Sequence, residues 1–236
     1  MQLSKNEEKM YSLLNRNNIL IFRIKDLQIL MNIDKFKSYN LIKSLKKKQA
    51  ITKINGEYFA LTGTDNMVIG QVISTPSYIS FWTALNYYGY SDQNPKKIFY
   101  ATTSYKKSIK NYIYVTLNKR LFYGYKSDGN ITIAEKEKAI IDSLIHSKYS
   151  GGMKHVIDCL KVAKDDLDMK KLYEYAIKTK NNAVIRRLGF SLELIGCDKR
   201  LLNNIEKQIG KGYELLDPNL KIKKIYNKKW GLNINI

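Results

Sequence analysis

Acidic residues are scarce in this chain: 21 Asp and Glu stand against 41 Lys and Arg, leaving a formal net charge of +20. That balance disfavours a cationic partner and favours an anionic one such as nucleic acid. The excess is spread out, with nets of +6, +6 and +8 over residues 1–66, 67–149 and 150–236, so no single basic tail carries it. The chain is also rich in Lys, Ile, Asn and Tyr, residues that an AT-rich coding sequence supplies without selection for binding. Soft ligands are few as well. Cys159 and Cys197 are the only cysteines, too few for a disulfide framework. His155 and Cys159 lie four apart on a predicted helix, but with only His146 and Cys197 to complete a site, a buried thiol beside a surface imidazole is the preferred reading over a metal centre. No apolar run is long enough to span a membrane. The chain opens on a polar capped helix rather than a signal peptide, so a cytoplasmic location is expected. There is no Gly-rich phosphate loop, nucleophile elbow or His-based triad, and neither an enzyme nor a bound cofactor is expected.

What is present is organised in two parts, for which 236 residues suffice. Ser4 and Glu7 have the capping-box spacing, and Met10, Leu13 and Leu14 follow at helical spacing, predicting a helix to about Arg16. Residues 21–24 form a short apolar segment, and residues 25–31 a second helix with Leu27 and Leu30 inward. Asp34 is the N-cap expected for a third helix over residues 35–48. At about 100° per residue, Ser38, Leu41, Ile42 and Leu45 share one face, and Phe36, Tyr39, Asn40, Lys43 and Lys47 the other. No Gly marks the turn before it, where Asn32, Ile33 and Asp34 must serve. Residues 50–53 and 58–61 alternate like strands around Asn55-Gly56, a strong hairpin signal.

This order is that of a winged helix-turn-helix, predicted here as a DNA-binding domain over residues 1–66. Its candidate contacts are Lys37, Tyr39, Asn40, Lys43 and Lys47 on the third helix, with Lys53 and Asn55 on the wing. Asn can bond an adenine edge through two hydrogen bonds, Lys can meet guanine or phosphate, and Tyr can reach phosphate. The plainer alternative is a Lys-rich surface helix beside a hairpin.

Residues 62–71, containing Gly63, Asp65 and Gly70, read as a polar connector. A larger mixed α/β domain is predicted over residues 72–236, giving an α+β chain. Strands are expected at residues 97–102, 112–117, 121–125 and 130–134. Helices follow over residues 135–149, 154–164, 168–180 and 183–194, then a short helix near residues 201–208 and a strand-like end.

Several residues of this second part carry a family resemblance. Pro76-x-Tyr78-x-Ser80, Ala84-Leu85 and Tyr88-Gly89 resemble the opening of the C-terminal domain of AbiEi-type antitoxins. Glu137-Lys138-Ala139 with Asp142, the run Ala183 to Gly189 (AVIRRLG) with Glu193, Leu216-Asp217-Pro218, and Trp230-Gly231-Leu232 with Asn235 are similar to later motifs of that family. Lys136 departs from it, since many relatives carry Pro there. The resemblance covers nearly the whole chain. It implies a transcriptional autorepressor that binds duplex DNA at the operator of its own promoter. It also implies the antitoxin of a type IV toxin–antitoxin pair, opposing a nucleotidyltransferase-like toxin without a required tight complex. The residues themselves also leave open an enzyme acting on nucleic acid or nucleotides that uses the winged helix to bind substrate.

Glu137, Asp142 and Glu193 are expected as ion-paired supports rather than an acid cluster for chemistry. Trp82 and Trp230 are expected in the core rather than as stacking platforms. Adjacent helical positions diverge by about 100°, so at most one of Arg186 and Arg187 is expected deep in the core. The other is left to hold an anion, which makes the pair the candidate antitoxin site.

Overall fold

The structure is a computed structural model and describes residues 2–105, 108–109 and 111–236. The chain is α+β and divides into two units, Met1–Ile73 and Ser74–Ile236.

The first unit begins with α1 (Lys5–Arg16), β1 (Ile21–Arg23) and α2 (Ile24–Met31). Asn32 takes the left-handed conformation at φ 51°, supplying the tight turn that Gly provides elsewhere. Asp34 then caps α3 (Lys35–Lys47) by accepting the Lys37 N–H at 2.8 Å. The hairpin is β2 (Ile51–Asn55) and β3 (Tyr58–Leu61), and the antiparallel sheet order is β1-β3-β2. Its turn falls one residue later than expected, at Gly56 and Glu57, because Asn55 still pairs with Tyr58 across a bulge. Met10, Leu14, Phe22, Leu27, Ile42, Leu45 and Phe59 form the core.

The polar connector is the main correction in this region. From Asn66 to Ile73 the chain is a helix, α4, with Gly70 buried. Asp65 starts it, accepting the Met67 N–H at 2.8 Å through its side chain and the Ile69 N–H through its carbonyl. The first unit therefore runs to residue 73 rather than 66.

The second unit is built on a five-stranded mixed sheet. In chain order its strands are β4 (Ser77–Ile79), β5 (Ile98–Thr102), β6 (Tyr112–Thr116), β7 (Tyr125–Asp128) and β8 (Ile131–Ala134), with spatial order β6-β5-β4-β8-β7. β4 lies centrally, antiparallel to β5 and parallel to β8. The strand expected over residues 121–125 starts only at Tyr125. Gly124, at φ 68°, breaks the extended run where the Tyr175 ring packs against it, in space that a Cβ would fill. The helices are α5 (Phe81–Tyr87), α6 (Lys136–Ile145), α7 (Met153–Ala163), α8 (Met169–Lys178), α9 (Asn182–Leu194) and α10 (Lys199–Glu206). A small sheet of β9 (Glu214–Leu215), β10 (Tyr226–Asn227) and β11 (Leu232–Asn233) closes the unit. α6 is buried from Glu137 through Leu144 and α9 from Val184 through Leu192, so both are central helices with no broad solvent face. Among the described residues no helix is long and apolar enough to cross a membrane.

Candidate functional site

The two units handle their polar residues in opposite ways. On α3, Ser38, Ile42 and Leu45 are buried. Phe36 is 75% exposed and Tyr39 50%. Lys37, Asn40, Lys43 and Lys47 are exposed, as are Lys53 and Asn55 on β2. Leu41, expected on the inner face, is half-buried at its margin. Of the cations, Lys37 lies 3.5 Å from the Asp34 carboxylate, with both groups in solvent. That carboxyl is held below its usual range, chiefly by the Lys37 backbone N–H.

One residue that fixes the pose of α3 has a role that spacing did not reveal. Glu7 is buried in α1, and its carboxylate accepts the Ser44 hydroxyl, the Lys48 ammonium and the Ser4 backbone N–H, each at 2.6 Å. These bonds, the Lys48 one foremost, pull its pKa down to about 2. The capping box thus doubles as a bolt between α1 and the C-terminal half of α3. The capping half was legible locally; the long-range half was not.

In the second unit the motif residues converge inward. Tyr78 and Ser80, in β4 and just after it, donate to Asp142 Oδ2 at 3.0 and 2.8 Å. The other Asp142 oxygen pairs with the Lys138 ammonium one turn back, and both side chains are fully buried. The ammonium also faces the Tyr123 ring, 4.8 Å from its centroid. Burial, then the Asp142 charge, raises the Tyr78 hydroxyl well above its ordinary pKa, so it stays a donor. Every group here already has its partner, and the cluster is closed to solvent.

The expectation for the arginines is overturned. Arg186 is 1% exposed and Arg187 5%. Arg186 donates to the carbonyls of Gly210, Lys211, Gly212 and Gly231 at 2.5–3.1 Å. Arg187 donates to Leu144 O at 2.9 Å and to Leu215 O. The 100° divergence holds, but α9 is wrapped on both sides, so the Arg186 guanidinium meets the Gly210–Gly212 loop and Gly231, and that of Arg187 meets α6 and β9. Neither is left to hold an anion.

The remaining motif residues lock the same region. Gly189 gives room for the Trp230 indole, which a methyl group would overlap. The indole N–H donates to Glu193 Oε2 at 2.6 Å, and Lys229 pairs with the other oxygen. Asp217 and Asn235 bond reciprocally, Asp217 N–H to Asn235 Oδ1 at 2.9 Å and Asn235 Nδ2 to the Asp217 carbonyl at 2.7 Å. The Asp217 carboxylate accepts the Met153 N–H at the start of α7. Glu137 accepts the Asp168 N–H and lies 3.6 Å from Lys171. Glu137, Asp142 and Glu193 thus lie in separate networks of ion pairs and hydrogen bonds, with Lys171, Lys138 and Lys229 as their cationic partners.

Trp230 is fully buried, as expected, but Trp82 is only half-buried and lines a surface cavity. His155, expected at the surface, is also half-buried. It lies between Ser91 and Ser150, with Cys159 Sγ 3.6 Å from its Nε2. Among the described residues no group of three or more His, Cys, Asp and Glu side chains is arranged to hold a metal ion.

Neither a scan of family models nor a search of curated proteins gives a match. Among solved structures the chain is similar to the crystal structure of the RV2827C protein from Mycobacterium tuberculosis, with a TM-score of 0.72 over 98% of this chain and 92% of that one. At 10% identity the likeness extends to the fold alone.

Proposed function

We propose that the first unit is a winged helix-turn-helix that binds duplex DNA, with α3 in the major groove and the β2–β3 hairpin as the wing. The observation that carries this reading is the outward face of α3. Tyr39, Asn40, Lys43 and Lys47 stand in solvent on a helix whose other face is buried. Asn40 reads a base edge, Lys43 and Lys47 meet base or phosphate, and Lys53 and Asn55 extend the contact from the wing.

On the resemblance of the second unit's motifs, the protein is an antitoxin and autorepressor of a type IV pair. It opposes a nucleotidyltransferase-like toxin without a required tight complex, and the reading includes no catalytic step. Arg186 and Arg187 take no part in it as an anion site, because both are buried and their guanidinium ends bond carbonyls inside the fold.

The test is binding of full-length protein to its own promoter DNA at fixed salt, alongside growth rescue of cells expressing the neighbouring toxin. The Asn40→Ala/Lys43→Ala/Lys47→Ala variant is expected to lose repression and keep rescue at matched protein levels. Unchanged operator affinity in that variant removes α3 from the interface. Loss of both activities in a folded variant routes neutralisation through DNA binding.

A further inference from the structure

Trp82, in the first turn of α5, borders a cavity of about 420 Å³ whose walls include Phe99, Gln93, Asn94, Lys96 and Lys97. That volume lies within the ~300–1,000 Å³ typical of small-molecule sites. The indole is held from behind. Its N–H lies 3.2 Å from both Ser91 Oγ and the Gln93 carbonyl, and its ring packs on His155 with centroids 4.9 Å apart. His155 Nδ1 lies 2.7 Å from the Ser150 carbonyl, which can only accept, so Nδ1 carries the proton. Nε2 lies 2.9 Å from the Ser91 hydroxyl. Asn86 Nδ2 donates to the Ser91 and Gln93 carbonyls, tying the loop to α5. The wall is therefore set before any ligand arrives, which lowers the ordering cost of binding. Lys96 and Lys97 are exposed, and neither is ion-paired among the described residues.

We propose that this cavity binds a nucleobase together with its phosphate. The base stacks on the aromatic wall of Trp82 and Phe99, Gln93 and Asn94 bond its edge, and Lys96 and Lys97 meet the phosphate. The three kinds of side chain match the three parts of such a ligand: a planar π-face, a polar edge and an anion. An inorganic anion has no use for the aromatic wall, and an apolar ligand has none for two free ammonium groups. The site lies in the second unit and is independent of α3. Its ligand is either a free nucleotide or a splayed base of a single strand, since both present the same base and phosphate.

Full-length protein titrated with AMP, GMP, CMP and UMP, and separately with a short single-stranded oligonucleotide, tests this by tryptophan fluorescence. Trp230 is fully buried, so quenching reports on Trp82. Saturable quenching is expected, with weaker binding of the corresponding nucleoside, which lacks phosphate. Calorimetry should give about ten-fold weaker binding for Lys96→Ala/Lys97→Ala and for Trp82→Leu. Lys43→Ala/Lys47→Ala on α3 should bind as tightly as the parent. Tighter binding of the strand than of every mononucleotide assigns the ligand as a strand, and equal affinity assigns it as the free nucleotide. The proposal is overturned by absence of saturable quenching with all probes at millimolar concentration. It is equally overturned by affinity that is unchanged in both cavity variants, or lost in the α3 variant instead.

Discussion

Lys43 and Lys47 on α3 and Lys138, Arg186 and Arg187 in the second unit are the same kind of residue with opposite fates. The first pair projects from a helix that is buried on one side only. The other three lie on α6 and α9, helices covered on both sides, where a carboxylate or backbone carbonyls engage their charged heads inside the fold. A basic residue in a motif is thus no evidence of an anion site until its hydrogen bonds are accounted for. Cations in solvent cost little to leave unpaired, so they remain available to a ligand. Buried ones need partners within the fold to offset their desolvation, which makes them supports.

The comparison can be broken most sharply at Asp142. Asp142→Ala leaves the Lys138 ammonium buried without a counter-charge, and a loss of ~3–5 kcal/mol is expected in chemical denaturation. Lys138→Met/Asp142→Leu removes both charges and should lose less. Equal losses would assign the effect to packing instead. Arg186→Met strips the donor from several carbonyls around Gly210–Gly212 and Gly231, and ~2–3 kcal/mol is expected by the same assay. If Arg186 served a ligand instead, stability would hold while rescue activity failed. Gly189→Ala forces the Trp230 ring to move, at ~1–3 kcal/mol, read by urea unfolding and by the tryptophan emission maximum.

The first unit offers two milder tests. The Glu7 carboxyl titrates at about 2 instead of 4.5. Its folded pKa is lowered, so its contribution to stability is full above pH 4.5 and is lost as pH falls from there through about 2. Glu7→Gln should reduce stability at neutral pH and flatten that part of the acid profile, followed by circular dichroism. An unchanged profile would detach the α1–α3 bolt from acid sensitivity. The smallest effect on stability belongs to the α3 face, where Asn40→Ala and Lys47→Ala should stay within ~0.5 kcal/mol of the parent. Asn40→Ala should nevertheless cost ~1–3 kcal/mol of discrimination between DNA sequences. Lys47→Ala should lower the salt slope of DNA binding by about one. Destabilisation of several kcal/mol in either would place these side chains with the buried set.

The elements legible along the chain were those whose causes are local. α1 and α3 follow from apolar spacing and from caps within three residues, at Glu7 and Asp34. The hairpin follows from Asn55-Gly56, displaced by one residue because the bulge absorbs a position. α4 also had a local signal, since Asp65 is an ordinary N-cap, but Gly63 and Gly70 made the stretch read as a loop. Nothing near Tyr78 in sequence indicates that its hydroxyl meets a carboxylate 64 residues away. Nothing near Arg186 and Arg187 indicates that segments 24–45 residues distant will supply their acceptors. Helical periodicity says which side chains diverge; it does not say how many neighbours will close around the helix. Sequence alone therefore determined α1, α3 and, to within one residue, the hairpin turn, because capping and backbone sterics act over a few residues. Only the tertiary structure decided which charges stay in water, because burial depends on segments brought together from across the chain.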